Sequence, residues 1–287
     1  MAPRLISCMA TTGIRTRLTA ASLIERRFDV NRALIPCAGT GSRMRSVTHG
    51  APKELLLVGG QPALEHALRE CYLAQIPQAV VLVGPGKEAI VEWVAAHAGT
   101  TGFPPEITVI EQPVPRGLAD AVARARELAP AEPLAVILPS HLFHGDRPAL
   151  AQVMGSYHKS LHSVVALVEA RAAIAATHAA VPVVEGRLTG EEFAFTRIPD
   201  PGVVGGQLPL GAVPYTIAGR AVIAPDAFQA IDAVLRGAAP GAEVDLIPAF
   251  QKMIARGQLA GRLVRGRFVD LSVPEGYADA QQAFADR

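Results

Sequence analysis

From Arg32 onward the apolar and polar positions fall into two alternating rhythms. Short apolar runs, each long enough for one buried strand, are followed by stretches whose apolar residues recur at helical spacing. Ala33 to Cys37 predicts a strand, and Pro62 to Ala74 places Ala63, Leu64, Ala67, Leu68 and Cys71 on one helical face. Ala79 to Val83 and Lys87 to Ala96 repeat the pair, with Trp93 in the core of that helix. Ile107 to Ile110 with a helix from about Leu118 to Leu128 repeats it again before the run Leu134 to Leu138. Strands alternating with helices are the pattern of βα units around a largely parallel sheet, so the fold class is α/β, a Rossmann-like doubly wound mixed sheet.

The second half reads differently. Ser163 to Glu169, Ala180 to Val184, Phe193 to Phe195 and Tyr215 to Ile223 are strand-like runs parted by turn-rich segments, and Pro199 to Gly211 reads as a loop. Two amphipathic helices follow at Asp226 to Leu235 and Val244 to Ala255. A strand runs from about Leu263 to Val269, and Pro274 opens a last helix, since a first-turn proline gives up no helical hydrogen bond. Residues 32 to 160 thus form one half and 161 to 287 the other. The first 31 residues, with five arginines and no long apolar run, read as a disordered or loosely docked extension, a transit-like leader being the alternative.

Composition narrows the function. A net charge of +1 leaves no general positive field for nucleic acid. Half the residues are hydrophobic and the mean hydropathy is +0.27, which raises the question of a membrane span. The most apolar stretch, Ser163 to Val184, is broken by Glu169, Arg171, His178 and Pro182, so no membrane partner is expected. Three cysteines with no close pair suggest neither a disulfide framework nor a cysteine zinc site, and a reducing cytoplasm is the expected location.

The candidate chemistry lies in Arg32 to Val58, where a buried strand runs into Ala38-Gly39-Thr40-Gly41 and then into basic residues. Gly39 and Gly41 let backbone N–H groups approach a phosphate or a base. Position 44 is Met, so the third glycine of a dinucleotide fingerprint is missing, and no Lys-Ser or Lys-Thr follows as in a P-loop. Arg43 and Lys53 remain as two cations able to hold a triphosphate, or else as solvated charges beside a tight turn.

This segment, with Pro52-Lys53-Glu54, resembles the signature of sugar-1-phosphate nucleotidylyltransferases and most of all the bacterial UTP–glucose-1-phosphate uridylyltransferases. Glu111-Gln112-Pro113 through Gly117-Leu118-Ala119 is similar to that family's base-recognition segment, Ala135 to Ser140 to the strand ending at its catalytic centre, and Glu243 to Leu246 to a further motif. The resemblance implies that Ala38, Gly39, Gln112 and Gly117 hold the pyrimidine, with Thr40 and Gly41 completing the nucleotide loop. It implies Arg43 on the β and γ phosphates, Lys53 on the α-phosphate, Arg197 and Glu243 toward the sugar phosphate, and Asp270 on Mg²⁺. The partners implied are an NTP, UTP above others, and a sugar-1-phosphate, in a homodimer or homotetramer. The reaction implied is uridylyl or thymidylyl transfer with release of pyrophosphate.

The pattern departs from the family in the acceptor half. Its Leu-Pro-Asp strand end is here Leu138-Pro139-Ser140, and a neutral hydroxyl is a poor ligand for Mg²⁺. Asp146 is the next carboxylate, in a loop that could fold back. The family's Tyr-Gly becomes Ala179-Ala180, its Glu-Lys-Pro falls near Thr196 to Pro199, and Leu271-Ser272 follows Asp270 where a glycine is usual. The alternative is therefore a nucleotide-binding or sugar-nucleotide-binding homologue with weak or no catalysis. His141 with His144, and His158 with His162, have the spacing of ligands on one helical face, though they read more simply as surface residues. Tyr215 reads as strand packing.

Overall fold

The computed structural model describes residues 6–7, 29–170, 173, 182–200 and 214–285. Its centre is a ten-stranded sheet. The strands run β1 (Ile6–Ser7), β2 (Arg32–Cys37), β3 (Leu57–Val58), β4 (Gln61–Pro62), β5 (Gln78–Val83), β6 (Glu106–Glu111) and β7 (Leu134–Ile137). They continue as β8 (His141–His144), β9 (Ser163–Glu169), β10 (Glu185–Thr189), β11 (Glu192–Arg197), β12 (Tyr215–Ile223), β13 (Leu259–Leu263) and β14 (Arg267–Asp270). The longer helices are α1 (Ala63–Leu73), α2 (Glu88–His97), α3 (Leu118–Arg126), α4 (Ala149–Ser160), α5 (Phe228–Gly237), α6 (Ile247–Ala255) and α7 (Pro274–Ala283).

The strand order is β1-β6-β5-β2-β7-β12-β9-β13-β11-β10. β6, β5, β2 and β7 are parallel, β12 runs against both β7 and β9, and β13 is again parallel to β9. Side-chain alternation on β2 shows why helices cover both faces. Ala33, Ile35 and Cys37 pack with α1, α2 and α4 on one side, while Leu34 packs with α3, α5 and α6 on the other. Trp93 is packed against the first layer, stacked on His97. Cys37 and Cys71 are buried and free. No helix among the described residues is long and apolar enough to cross a membrane.

Several expectations are corrected. The single strand from Leu263 to Val269 is two strands, because Gly266 takes φ 134° and turns the chain out of the large sheet. β13 stays beside β9, while β14 pairs with β8, an element the hydrophobic pattern does not reveal. His141 and His144 therefore lie on a strand, where positions three apart face opposite ways, rather than on a helix. His158 sits on α4 but His162 lies beyond its end at Leu161, whose backbone is left-handed (φ 58°), so that pair shares no helical face either. Ile6–Ser7, within the expected extension, pair with Val109 and Thr108 at the edge of the sheet. The expected strand at Ala180 to Val184 lies largely outside the described residues; Val184 itself makes one bridge to Tyr215. The Pro199 to Gly211 loop, Ala179 and Ala180 also fall wholly or mostly outside them. Pro274 opens α7 as expected.

Candidate active site

β2 is flanked by β5 on one side and β7 on the other; α1, which follows β2, covers one face of the sheet, and α3, which leads into β7, covers the other. Such a switch point opens a crevice at the carboxyl ends of the strands. Ala38 to Gly41 leave β2 there, Leu138 to Ser140 leave β7, and Gln112 follows β6. Ala38, Gly39, Lys53, Gln112, Gly117 and Ser140 line one pocket of about 250 Å³, with Glu243 at its edge. Thr40 and Gly41 line an adjoining pocket together with Lys53 and Lys87. The crevice thus gathers every nucleotide-binding residue expected from the sequence except Arg43, which stands exposed on the turn Ser42–Met44.

Glycine is required at two of these positions. Gly41 has φ 62° and the aliphatic stem of Lys53 lies against it. Gly117 has φ 85°, and a Cβ there would stand 2.4 Å from the carbonyl oxygen of Val244. Val244 N–H donates to Arg116 O (2.8 Å) and Ala119 N–H donates to Val244 O (3.0 Å), which stitches the Glu243 segment to the entrance of α3.

Lys53 begins the turn Lys53–Leu55, whose Glu54 is buried and accepts from Lys87 Nζ at 2.8 Å. The pair clamps the turn to the loop after β5. Lys53 is left with no carboxylate partner among the described residues, so its charge faces both pockets. Neither Lys87 nor Glu54 carries an expected role: Glu54 enters only as part of the Pro52-Lys53-Glu54 triplet, and the sequence signal for Lys87 is the Gly84-Pro85-Gly86 loop that brings it to a strand end. Beneath them burial, with Glu54 nearby, pushes the Cys37 thiol well above its ordinary range.

Gln112 is held more specifically. Its Nε2 donates to Asp120 Oδ2 (2.8 Å) and more weakly to Gly117 O (3.3 Å), and Asp120 is itself buried and accepts from Arg124 Nε at 2.7 Å. An ionised carboxylate can only accept, so the amide nitrogen must face Asp120 and the carbonyl oxygen is left for the pocket. The sequence pattern does not single out Asp120.

The side of the crevice that carries Ser140 and Asp270 is built on β8 and β14. Asp270, buried, accepts from Ser272 N–H (2.8 Å) and Ser272 Oγ–H (2.7 Å), one bond on each carboxylate oxygen. His141 Nε2 lies 3.7 Å from Asp270 Oδ1. Burial pushes the His141 pKa down to about 4 against the opposing pull of Asp270, so the imidazole is neutral at pH 7. Ser140 accepts from Leu271 N–H through its carbonyl. Asp146 does not fold back to this site: it is exposed and lines a separate pocket with His66 and Arg69. Arg197 is not brought to the crevice either, being exposed at the end of β11, beside the edge strand β10, and paired with Glu185 at 3.2 Å. No cluster of three metal-ligating side chains occurs among the described residues. Asp270, with lone pairs left on both oxygens, is the single carboxylate brought here, so beside a neutral imidazole and a serine it would give one ligand to a Mg²⁺ carried by the triphosphate but no protein cage for the ion.

Behind this site Arg220, fully buried, donates to both oxygens of Glu70 and to the carbonyls of Leu138 and Gly219. It fixes the end of β7 from below.

The nucleotidyl transferase family model matches residues 32–175. The chain is 28% identical over 267 residues to a Bacillus subtilis (strain 168) protein, covering 86% of this chain and 94% of that one. It is 24% identical over 275 residues to the UTP–glucose-1-phosphate uridylyltransferase of Staphylococcus epidermidis, covering 89% and 92%. A crystal structure of UDP-glucose pyrophosphorylase complexed with UDP-glucose is similar in fold, with TM-score 0.74 and 22% identity over 89% of this chain and 98% of that one.

Proposed function

The chain belongs to the nucleotidyl transferase family, and from that premise we propose that it transfers a uridylyl group from UTP to a sugar-1-phosphate and releases pyrophosphate. A phosphate oxygen of the acceptor attacks the α-phosphorus in line, the bond from that phosphorus to the β-phosphate oxygen breaks, and pyrophosphate leaves. Such a transfer asks for alignment and for positive charge where negative charge builds up. Lys53 supplies that charge at the α-phosphate, Arg43 swings onto the outer phosphates, and the N–H groups of the Ala38–Gly41 loop meet the nucleotide. The similarity to proteins named as UTP–glucose-1-phosphate uridylyltransferases supports this reading.

The observation that carries the nucleotide choice is the Gln112–Asp120 hydrogen bond. With its nitrogen turned to Asp120, Gln112 offers a carbonyl to the base. Uracil and thymine present an N3–H donor, whereas the N3 of cytosine is an acceptor and would be repelled. Asp120→Asn frees the amide to turn over, because asparagine donates as well as accepts. The expected result is a fall of about tenfold in the UTP-over-CTP ratio of kcat/KM, one hydrogen-bond reversal's worth, read by competition between the two nucleotides. An unchanged ratio would remove Asp120 from base selection.

Mg²⁺ is proposed to enter as the counter-ion of the triphosphate. Ser140→Asp restores a carboxylate at the end of β7 and is expected to raise pyrophosphate release at low Mg²⁺ by about tenfold. No gain would mean that a second carboxylate is not what limits turnover. The second reading, a nucleotide-binding homologue without turnover, is favoured by Ser140 alone, and it predicts UTP binding without pyrophosphate release in the unmodified protein. A cytoplasmic homodimer or homotetramer is part of the proposal, by family resemblance.

A further inference from the structure

A second chamber opens from the nucleotide pocket, sharing Leu118 and Leu138 with it, so it lies where the acceptor must enter. It is of similar size, about 250 Å³. Val136, Val165, Ile198, Ile217, Leu246 and Phe250 form its walls. Hydroxyl groups of an ordinary hexose would need partners here, because a hydroxyl taken out of water without a hydrogen bond is penalised.

Among the described residues, few polar side chains reach the chamber and most of them are committed elsewhere. Every nitrogen of Arg220 already donates, to Glu70 or to the carbonyls of Leu138 and Gly219. His141 presses its Nδ1 against the backbone of β12, where a Cβ on Gly219 would stand only 2.5 Å away, and that nitrogen is buried without a partner. Its Nε2 faces Asp270. Asp245 sits at the exposed rim, where Oδ1 accepts from Ile247 N–H at 2.8 Å and Oδ2 is left to serve a single hydroxyl at the mouth. Among the described residues Thr216 is left as the one uncommitted hydroxyl of the lining. Arg197, the cation expected to meet the acceptor, is outside the chamber, and its neighbour Ile198 is inside and buried.

We infer that the acceptor is a deoxygenated sugar-1-phosphate, whose phosphate lies in the nucleotide pocket while its hydroxyl-poor ring fills the apolar chamber. The inference rests on the transferase reading above and names its substrate class. The chemistry of transfer is unchanged: the acceptor phosphate oxygen bonds to the α-phosphorus of UTP, pyrophosphate departs, and a UDP-deoxysugar is the product.

The test is pyrophosphate release by the full chain with UTP and Mg²⁺, using glucose-1-phosphate, 6-deoxyglucose-1-phosphate and 4,6-dideoxyglucose-1-phosphate, each product identified by mass. The expected result is a rise in kcat/KM along the series, about tenfold for each hydroxyl removed, the equivalent of about 1.4 kcal/mol per step. Ile217→Asn, which places an amide in the chamber wall, is expected to move the preference back toward glucose-1-phosphate by at least about tenfold. Turnover of glucose-1-phosphate equal to or better than that of the deoxygenated pair would overturn the inference while leaving the transferase reading in place. Release with none of the three while UTP still binds would overturn both. If Ile217→Asn does not fold, the series on the unmodified protein decides alone.

Discussion

Lys53→Ala is expected to lower kcat for pyrophosphate release by about 100- to 1000-fold, the usual loss when one preorganised charge or donor is removed from a transfer site. The expectation follows from where the side chain is and from what holds it. Lys53 lines both pockets of the crevice, so it is the cation that a nucleotide spanning them must pass. Its turn is anchored by the buried Glu54–Lys87 pair, and its stem rests against Gly41. The charge is therefore presented without being neutralised and without reorganising as the reaction proceeds. Lys87, the other cation of the adjoining pocket, is tied to Glu54 and cannot take over. The variant should keep its denaturation midpoint, since Lys53 closes no ion pair that the fold depends on. Stopped-flow or coupled pyrophosphate assays at saturating UTP read the effect; full turnover in the variant would dismiss Lys53 from the chemistry.

What the sequence could show, and what it could not, divides by the range of the interaction. The strand Ala33 to Cys37, its glycine loop and the amphipathic segments after it are patterns within one window, and the structure places each within a residue or two of expectation. Gln112 and Gly117 were legible as residue types. Asp120 was not, because what it does depends on a contact from the first turn of α3 back to Gln112 at the end of β6, where an acidic residue reads as a solvated charge. β8 was invisible for a different reason: Leu142 is the one fully buried position in a four-residue strand, and its partner β14 lies at the other end of the chain. The buried cations Lys87 and Arg220 look in sequence like surface charges, since the carboxylates that justify their burial are far away along the chain. Arg197 shows the opposite error. As the cation nearest the expected motif it reads as the acceptor's, yet β11 leaves it exposed beside the edge strand β10 and the next residue, Ile198, turns inward.

Glu70→Gln is expected to destabilise the fold by about 3 to 5 kcal/mol, the range for removing one partner of a buried ion pair. Arg220 has no exposed side-chain surface, and its guanidinium donates to both Glu70 oxygens at 2.6 to 3.1 Å. Glutamine keeps the volume but places an amide donor or a single neutral oxygen opposite a cation that cannot lose its proton. The same carboxylate accepts from Leu150 N–H (2.8 Å), an otherwise orphaned donor in the first turn of α4, so the loss reaches a second element. At roughly 2 to 4 °C per kcal/mol for a domain of this size, the midpoint should fall by about 6 to 20 °C. Replacing both partners separates charge from shape. Glu70→Leu with Arg220→Met leaves no buried charge unpaired and should be less destabilising than Glu70→Gln, as paired removal of buried ions often is. An unchanged urea midpoint in Glu70→Gln would refute the role given to the pair. Because Arg220 also holds the carbonyl of Leu138, next to Pro139 and Ser140, even the better-folded double variant should lose turnover: the guanidinium that fixes the end of β7 against the nucleotide pocket would be gone.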